Sequence, residues 1–305
     1  MKKNKDKMTR KEFLKTSSVA LLGFGILGVG SKKNSGQNSR GQGKLGKTGI
    51  KVPPIGFGAS RTMEPSLVNA ALDTGFYFLD TGRSYSRGKN EVMVGEVVES
   101  RRKDVVIQSK LRVRLNSQED GSFAAEDVKK TIDDMTASMD TSLKALRTDY
   151  IDIMLIHGAT DPDVIYHESV MGFFEAAKKE GKIRAYGFSS HSNQIELLRA
   201  ANQEKFYEVI MVPYNHKGSY IHMNSGGFSE WDQPALEVEM DVAKKRGVGM
   251  IAMKSCSGGP CALGEKTEAS FENSLRWVMA QNRVHTMAVA MGNFEQIEEN
   301  SRALL

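Results

Sequence analysis

Four side chains in the first half of the sequence are of types that transfer protons and polarise oxygen atoms: Asp80, Tyr85, Lys110 and His157. A tyrosine with a pKa of about 10 is a weak acid, but a neighbouring ammonium group favours its phenolate. We expect Lys110 to supply that charge, with Asp80 holding it in place. Tyr85 would then donate a proton to a carbonyl oxygen, or accept one from an alcohol, while His157 orients that oxygen. None of the four carries a hydride, so a reduction would need a cofactor.

These residues are placed by short apolar runs that alternate with segments of helical spacing. Because parallel strands need crossover connections, this alternation predicts a parallel sheet. The predicted strands are residues 54–58, 76–79, 105–109, 151–156, 183–188, 209–213, 248–253 and 286–290. The predicted helices are residues 65–74, 91–100, 125–146, 164–180, 194–201, 233–246, 271–281 and 294–304.

Eight such repeats favour an α/β fold of the (β/α)8 TIM barrel type, as a single domain over residues 44–305. An open doubly wound sheet is disfavoured because no G-x-G-x-x-G follows the first strand. A short hairpin around Thr48 and Gly49 is predicted just before the barrel. In such barrels the carboxyl ends of the strands build the active site, so the four residues above should meet at one mouth.

Later strands should deliver cofactor contacts to the same mouth. Strand five is followed by Ser189 and Ser190, strand six by Tyr214, and strand seven by Lys254. The loop histidines His191, His216 and His222 lack a metal-ligand spacing with a carboxylate on one helix, so no metal site is predicted.

The motifs G-F-Y-F-L-D-T-G-R-S-Y, N-E-V-M-V-G-E, S-K-L and D-Y-I-D-I-M-L-I-H resemble the aldo-keto reductases over almost the whole of residues 44–305. The resemblance implies the same barrel, a catalytic tetrad of Asp80, Tyr85, Lys110 and His157, and NADP or NAD as cofactor. G-F-S-S-H is similar to the segment in which Ser189 and Ser190 would hold the nicotinamide amide. M-G-N-F-E-Q-I-E-E-N resembles the segment that binds the adenosine end, through Gly292, Gln296, Glu299 and Asn300.

Departures from the family pattern indicate a divergent branch. Met211 stands where the family often has a glutamine, and Met253 where an aromatic residue often stacks on the nicotinamide. Basic side chains that many members use for the 2′-phosphate are absent from the last motif.

The sequence leaves three hypotheses about function. The first is an NAD(P)-dependent oxidoreductase acting on a small carbonyl or sugar substrate. The second is an altered barrel serving as a ligand-binding or partner subunit, and the third is a cofactor-independent lyase or isomerase.

The charge distribution singles out the N-terminus. Ten of the 42 Lys and Arg residues, but only two of the 37 Asp and Glu residues, lie within residues 1–40. The body is therefore close to neutral, which argues against a nucleic-acid partner. Composition is ordinary for a globular protein, with 40% hydrophobic and 26% charged residues.

Residues 1–30 are predicted to be a targeting segment. T-R-K-E-F-L-K, which resembles a twin-arginine signal, precedes an apolar run of residues 17–30 that is too short to span a bilayer. Residues 31–43 are polar and glycine-rich, as is typical of a linker. We expect export to the periplasm, with membrane contact only through this segment if it stays uncleaved, and a cytoplasmic location if the signal does not function. Cys256 and Cys261 are expected to be free thiols in a glycine-rich loop, although export would permit a disulfide.

Overall fold

The computed structural model describes residues 43–222, 226–265 and 267–305. A two-stranded antiparallel hairpin comes first, with β1 at Gly43–Lys44 and β2 at Lys51–Val52. The hairpin was expected here, and it begins one residue earlier than the predicted start of the folded part. The predicted targeting segment and all but the last residue of the predicted linker lie outside the described residues.

Eight parallel strands then close into a barrel in the order β11-β12-β3-β4-β5-β6-β7-β8. They are β3 Ile55–Gly58, β4 Phe78–Asp80, β5 Val106–Leu111, β6 Ile151–His157, β7 Ile183–Ser189, β8 Val209–Pro213, β11 Gly249–Met253 and β12 Thr286–Ala290. A second hairpin follows β8 and consists of β9 Ser219–Ile221 and β10 Phe228–Glu230. The predicted barrel is confirmed.

One strand differs from its predicted position in a way that matters for the site. Residues 76–79 were predicted as strand two, whereas β4 is Phe78–Asp80. Phe76 still belongs to the turn after the preceding helix, because its amide donates to the carbonyl oxygen of Ala71. Asp80 is therefore a strand residue whose Cα lies opposite that of Gln108 in β5. Its carboxylate is held by the sheet and not by a loop.

The helices lie where the spacing predicted them, with small shifts at their ends. They are α1 Pro65–Thr74, α2 Lys89–Val98, α3 Ala125–Ala145, α4 Pro162–Ile165, α5 Glu168–Lys179, α6 Gln194–Glu204, α7 Gln233–Lys245, α8 Phe271–Ala280 and α9 Phe294–Arg302. The predicted helix over residues 164–180 is in fact two. Asp161 caps α4, and the imidazole of His167 caps α5 by accepting from the amide of Ser169.

Apolar side chains form two layers, one inside the barrel and one between the strands and the helices. Leu45, Ile50 and Val52 of the first hairpin belong to the inner layer. The amide of Lys47 donates to the carbonyl oxygen of Gly247, just before β11 begins, so the hairpin closes the amino end of the barrel. No helix of the described residues is long and apolar enough to cross a membrane.

A buried carboxylate also lies at the amino end of the barrel. Asp152, the second residue of β6, is 1% exposed and accepts from Arg102 at 2.8 Å, from Arg184 at 2.6 Å and from the amide of Ile107 at 2.9 Å. His157 ends the same strand at the opposite face. Asp152 is thus a structural ion-pair centre far from the mouth.

Candidate active site

The ammonium group of Lys110 is the centre of the site. Lys110 lies in β5, is 2% exposed, and donates to the carboxylate of Asp80, to the carbonyl oxygen of Thr81 at 2.8 Å and to the hydroxyl of Tyr85 at 3.2 Å. Burial alone lowers the pKa of Lys110, but the negative charge of Asp80 and the hydrogen bonds to Asp80 and Tyr85 outweigh that cost, so the pKa stands above its usual value. The lysine is therefore a fixed cation directly beneath the tyrosine.

Tyr85 is brought back over the mouth by a tight turn after β4. Its amide donates to the carbonyl oxygen of Gly82 at 2.9 Å, and the ammonium of Lys110 lies 4.9 Å from the centre of its ring. Burial raises the pKa of Tyr85, and the lowering effect of Lys110 does not cancel it. The expected lowering by Lys110 is present, but burial outweighs it, so the net pKa lies above the ordinary tyrosine value. Tyr85 is held as the neutral phenol.

Asp80 has a further partner that the sequence analysis did not single out. The side-chain amide of Gln108, which is fully buried inside the barrel, donates to the same carboxylate oxygen of Asp80 at 2.6 Å. Gln108 lies two residues before Lys110 in β5, so the two side chains point to the same side of the strand. That alternation was the available sequence signal. Asp80 is thus fixed from two positions of the neighbouring strand.

His157 completes the group at the end of β6. Its ring lies edge-on to the ring of Tyr85 with the centroids 5.6 Å apart, and its Nδ1 is 3.1 Å from the hydroxyl of Ser84. Burial, followed by the positive charges of Lys110 and Arg112, lowers the pKa of His157 to about 3. The imidazole is therefore neutral at physiological pH and can donate or accept a hydrogen bond without carrying charge.

The residues predicted to contact the cofactor after strands five and six do not all face the mouth. The Ser189 hydroxyl donates to the carbonyl oxygen of Ile156 at 3.1 Å, and the Ser190 hydroxyl donates to that of Ser192, so both hydroxyls serve local backbone groups at the mouth. Tyr214 points the other way: its hydroxyl donates to Glu237 of α7 at 2.7 Å. The prediction of a cofactor contact from Tyr214 is wrong in direction, because the side chain packs into the outer layer.

The predicted adenosine-end residues are split between the surface and the core. Gly292 and Gln296 are exposed at the start of α9, where the Gln296 side chain accepts from the amide of Gly292 at 2.7 Å. Glu299 is half-buried one turn later. Asn300 is 4% exposed, so a ligand could contact only a small part of its side chain. The amino end of α9 suits a phosphate, because the first backbone amides of a helix and its dipole favour an anion there.

Lys254 follows β11, at the carboxyl end of the barrel strands. Among the described residues no carboxylate lies within ion-pair distance of it, and its ammonium lies 5.2 Å from the ring centre of Tyr220. Burial, with a further effect from the nearby charge of Arg61, lowers its pKa. Two cations that repel each other at the mouth fit an anionic cofactor, such as the diphosphate of a dinucleotide.

A cavity of about 540 Å³ opens beside His157. It lies between the loop after β5 and the loop after β6, and polar residues contribute to its lining, among them Arg114, Asn116, Ser117 and Thr160. His157 belongs to the lining, whereas Asp80, Tyr85 and Lys110 do not, so the cavity adjoins the group on the side of His157. A polar wall of this kind suits a small hydroxylated or charged compound better than an apolar one.

Comparison with known proteins agrees with this geometry. The family model described as "Aldo/keto reductase family" matches residues 58–274. "Uncharacterized oxidoreductase YqkF" of Bacillus subtilis (strain 168) is 25% identical over 287 residues, covering 85% of this chain and 90% of that protein. L-galactose dehydrogenase of Arabidopsis thaliana is 26% identical over 304 residues, covering 85% and 86%. The structure of an aldo/keto reductase from Klebsiella pneumoniae in complex with NADP and acetate has a TM-score of 0.61 at 20% identity, covering 85% and 88%, and is similar in fold.

Proposed function

Because the chain belongs to the aldo/keto reductase family, we propose that it interconverts a carbonyl group and an alcohol, with Tyr85 as general acid and base. The observation that carries the proposal is the hydrogen bond of 3.2 Å between the Lys110 ammonium and the Tyr85 hydroxyl. A phenol in contact with a fixed cation can release its proton to an acceptor, because the cation stabilises the phenolate that remains.

In the direction of reduction, the Tyr85 phenol donates its proton to the carbonyl oxygen of the substrate. Lys110 balances the negative charge left on the phenolate, and Asp80 keeps Lys110 protonated. Neutral His157 orients the carbonyl oxygen by a hydrogen bond. In the direction of oxidation, the phenolate accepts the proton of the alcohol. A bound nicotinamide would supply or receive the hydride, and this chain's residues only position it.

The cofactor in this proposal is NADP or NAD. Lys254, Arg61 and the amino end of α9 offer positive potential for its phosphates. The NADP complex of the Klebsiella pneumoniae enzyme supports the proposal, because the two proteins share a fold. The proposed contacts are those of Ser189, Ser190, Lys254, Gly292 and Gln296, together with Glu299 and Asn300 at the adenosine end.

The substrate in this proposal is a small polar carbonyl compound or sugar, bound in the cavity beside His157. The polar lining of that cavity supports it. So does the similarity to L-galactose dehydrogenase, whose name specifies a sugar substrate.

The test is the Tyr85→Phe variant, assayed with a panel of carbonyl compounds and sugars by the absorbance of the reduced nicotinamide. We expect kcat to fall by about 10²- to 10⁴-fold, the usual contribution of a general acid. Nucleotide affinity, measured by fluorescence quenching, should change less than about twofold, since a hydroxyl outside the phosphate contacts adds little binding energy. The matched control is Tyr77→Phe, which removes a buried hydroxyl that has no hydrogen-bond partner in the described residues. Full turnover in Tyr85→Phe would contradict the acid-base role.

Export through a twin-arginine-type route stays a proposal, supported by the T-R-K-E-F-L-K motif and the apolar run after it. The test compares the full chain with a chain that lacks residues 1–30, each located by cell fractionation. Equal recovery of both forms in the cytoplasm would contradict it.

A further inference from the structure

We propose that Glu91 is a positioning residue that, together with Arg83 and Ser109, sets the distance between Tyr85 and Lys110. The inference rests on the proposed function, because it assigns Glu91 a task only if the Tyr85 hydroxyl reacts. Glu91 lies in the first turn of α2, outside the barrel mouth. It touches none of the groups that transfer a proton: its charge interacts with that of Lys110 at a distance, and its contacts reach the reacting pair through its neighbours.

The contacts of Glu91 join the two chain segments that carry the reacting pair. One carboxylate oxygen accepts from the guanidinium of Arg83 at 2.5 Å, and the other accepts from the hydroxyl of Ser109 at 2.5 Å. Arg83 is two residues before Tyr85, and Ser109 directly precedes Lys110. The bridge therefore joins the segment before Tyr85 to the strand that carries Lys110, on the side of that strand opposite the Lys110 side chain.

Burial makes the Glu91 carboxylate energetically costly. Glu91 is 0% exposed, and burial raises its pKa against the lowering effects of Ser109 and Arg83. A buried carboxylate is costly unless it is paired and hydrogen-bonded. An apolar residue at this position would avoid that cost if the only need were to pack α2 against β5. The charge therefore has a use that apolar packing would not serve.

The turn that follows Tyr85 explains what the bridge has to hold. Ser86 and Arg87 have φ values of 48° and 56°, and Gly88 follows at 87°. Left-handed backbone at residues other than glycine costs about 1 kcal/mol or more each. The turn therefore does not hold its shape by local preference alone. It must be fixed from both sides.

Arg83 fixes both sides of that turn. Its amide donates to the carbonyl oxygen of Lys110 at 3.0 Å, which attaches the segment before Tyr85 to β5. Its guanidinium reaches across to Glu91, behind the turn, and lies against Gly88. A Cβ atom at Gly88 would come within 1.2 Å of that guanidinium, so a larger residue there would have to displace it from Glu91. Arg83 thus closes the loop that carries Tyr85, and Glu91 anchors the closure to β5.

The test uses Glu91→Gln, Arg83→Lys and Arg83→Met, with Arg87→Met as the matched control. Arg87 lies in the same turn and is exposed, and its side chain makes no hydrogen bond or ion pair within the described part of the chain. We expect kcat to fall by about 10- to 100-fold in Glu91→Gln and Arg83→Met, the scale of a misplacement of about 1 Å. Arg83→Lys should recover part of the loss because it keeps the charge, and Arg87→Met should match the parent. Nucleotide affinity should be unchanged in all four.

A second measurement does not depend on turnover. Crystal structures of Arg83→Met and Arg87→Met should differ in the distance between the Tyr85 hydroxyl and the Lys110 ammonium. It is 3.2 Å in the parent, and we expect about 4 Å or more in Arg83→Met, beyond hydrogen-bond range. This variant carries the test if Glu91→Gln does not fold.

The possible outcomes separate the two proposals. Turnover in Tyr85→Phe would overturn the proposed function, whatever Glu91 does. If Tyr85→Phe is inactive while folded Arg83→Met keeps the parent kcat and the parent distance, the positioning role alone is overturned. The positioning role would also be overturned if Arg83→Met lowers kcat without changing the distance and Arg87→Met lowers kcat equally.

Discussion

Substitution of Asp80 by asparagine should shift the alkaline limit of the reaction. The Asp80→Asn variant would keep an oxygen that accepts from Gln108 and Lys110 but would lose the negative charge. In the parent, the charge of Asp80 opposes the effect of burial and raises the pKa of Lys110 above its usual value. Without that charge, burial dominates and the pKa of Lys110 falls. The ammonium then loses its proton at a lower pH, and the Tyr85 phenolate loses its stabilising cation.

The size of the shift follows from the burial of the pair. Lys110 is 2% exposed and Asp80 is 4% exposed, so solvent screens their attraction little. Breaking a buried pair by removal of one partner costs about 3 kcal/mol or more. Since one pKa unit corresponds to about 1.4 kcal/mol, we expect the alkaline limit to move down by about two pH units. The stability that this pair contributes is present at pH values below the unfolded pKa of Lys110, and in the parent it is lost only as the pH rises through the raised folded-state pKa.

The assay is kcat for carbonyl reduction across the range from neutral to strongly alkaline pH, beside the free energy of unfolding at neutral pH from urea titration. The matched control is Asp152→Asn, which alters a buried ion-paired carboxylate at the opposite end of the barrel. We expect both variants to lose about 3 kcal/mol of stability. Only Asp80→Asn should change the pH profile. A folded Asp80→Asn variant with the parent's alkaline limit would refute the assignment of Lys110 as the cation that Tyr85 needs.

Two further predictions concern other groups with shifted pKa values. His157, whose pKa is lowered to about 3, should produce no inflection in kcat between about pH 5 and 8, and His157→Gln should lower kcat without changing nucleotide affinity; an inflection near the ordinary histidine pKa that this variant removes would contradict the neutral imidazole. Burial raises the pKa of Cys256 to about 12, so its thiol should react with a disulfide reagent at mildly alkaline pH only after unfolding. A labelling experiment with Cys256→Ser as control checks this, and fast labelling of the folded parent would contradict it.

The sequence was sufficient to predict the barrel and the meeting of the four mouth residues. Alternating apolar runs and helices determine the parallel order, and the order sends the strand ends to one face. The meeting of Lys110 and His157 at the mouth could be predicted from this topology alone. The direction of the Tyr214 side chain required one more argument. Met211 faces the barrel interior, and because side chains alternate along a strand, Tyr214 three residues later should point outward.

Other features could not be predicted because they depend on how a loop folds back. The depth at which the Tyr85 hydroxyl is buried decides the sign of its pKa shift, and no spacing indicates that depth. Glu91 appeared in the sequence only as a residue near the start of a helix. Its bridge to Ser109 links positions 18 residues apart, and the turn of left-handed residues before it follows a path that is set by tertiary contacts.

The hairpin at the amino end of the barrel determines how the molecule can be held. Gly43 enters the folded part at the face opposite the mouth, because β1 and β2 close the end of the barrel where the strands begin. A bead or a surface joined directly at Gly43 would therefore contact the barrel on the side opposite the mouth. Immobilisation of a chain that starts at Gly43 should then leave the mouth facing the bulk solution.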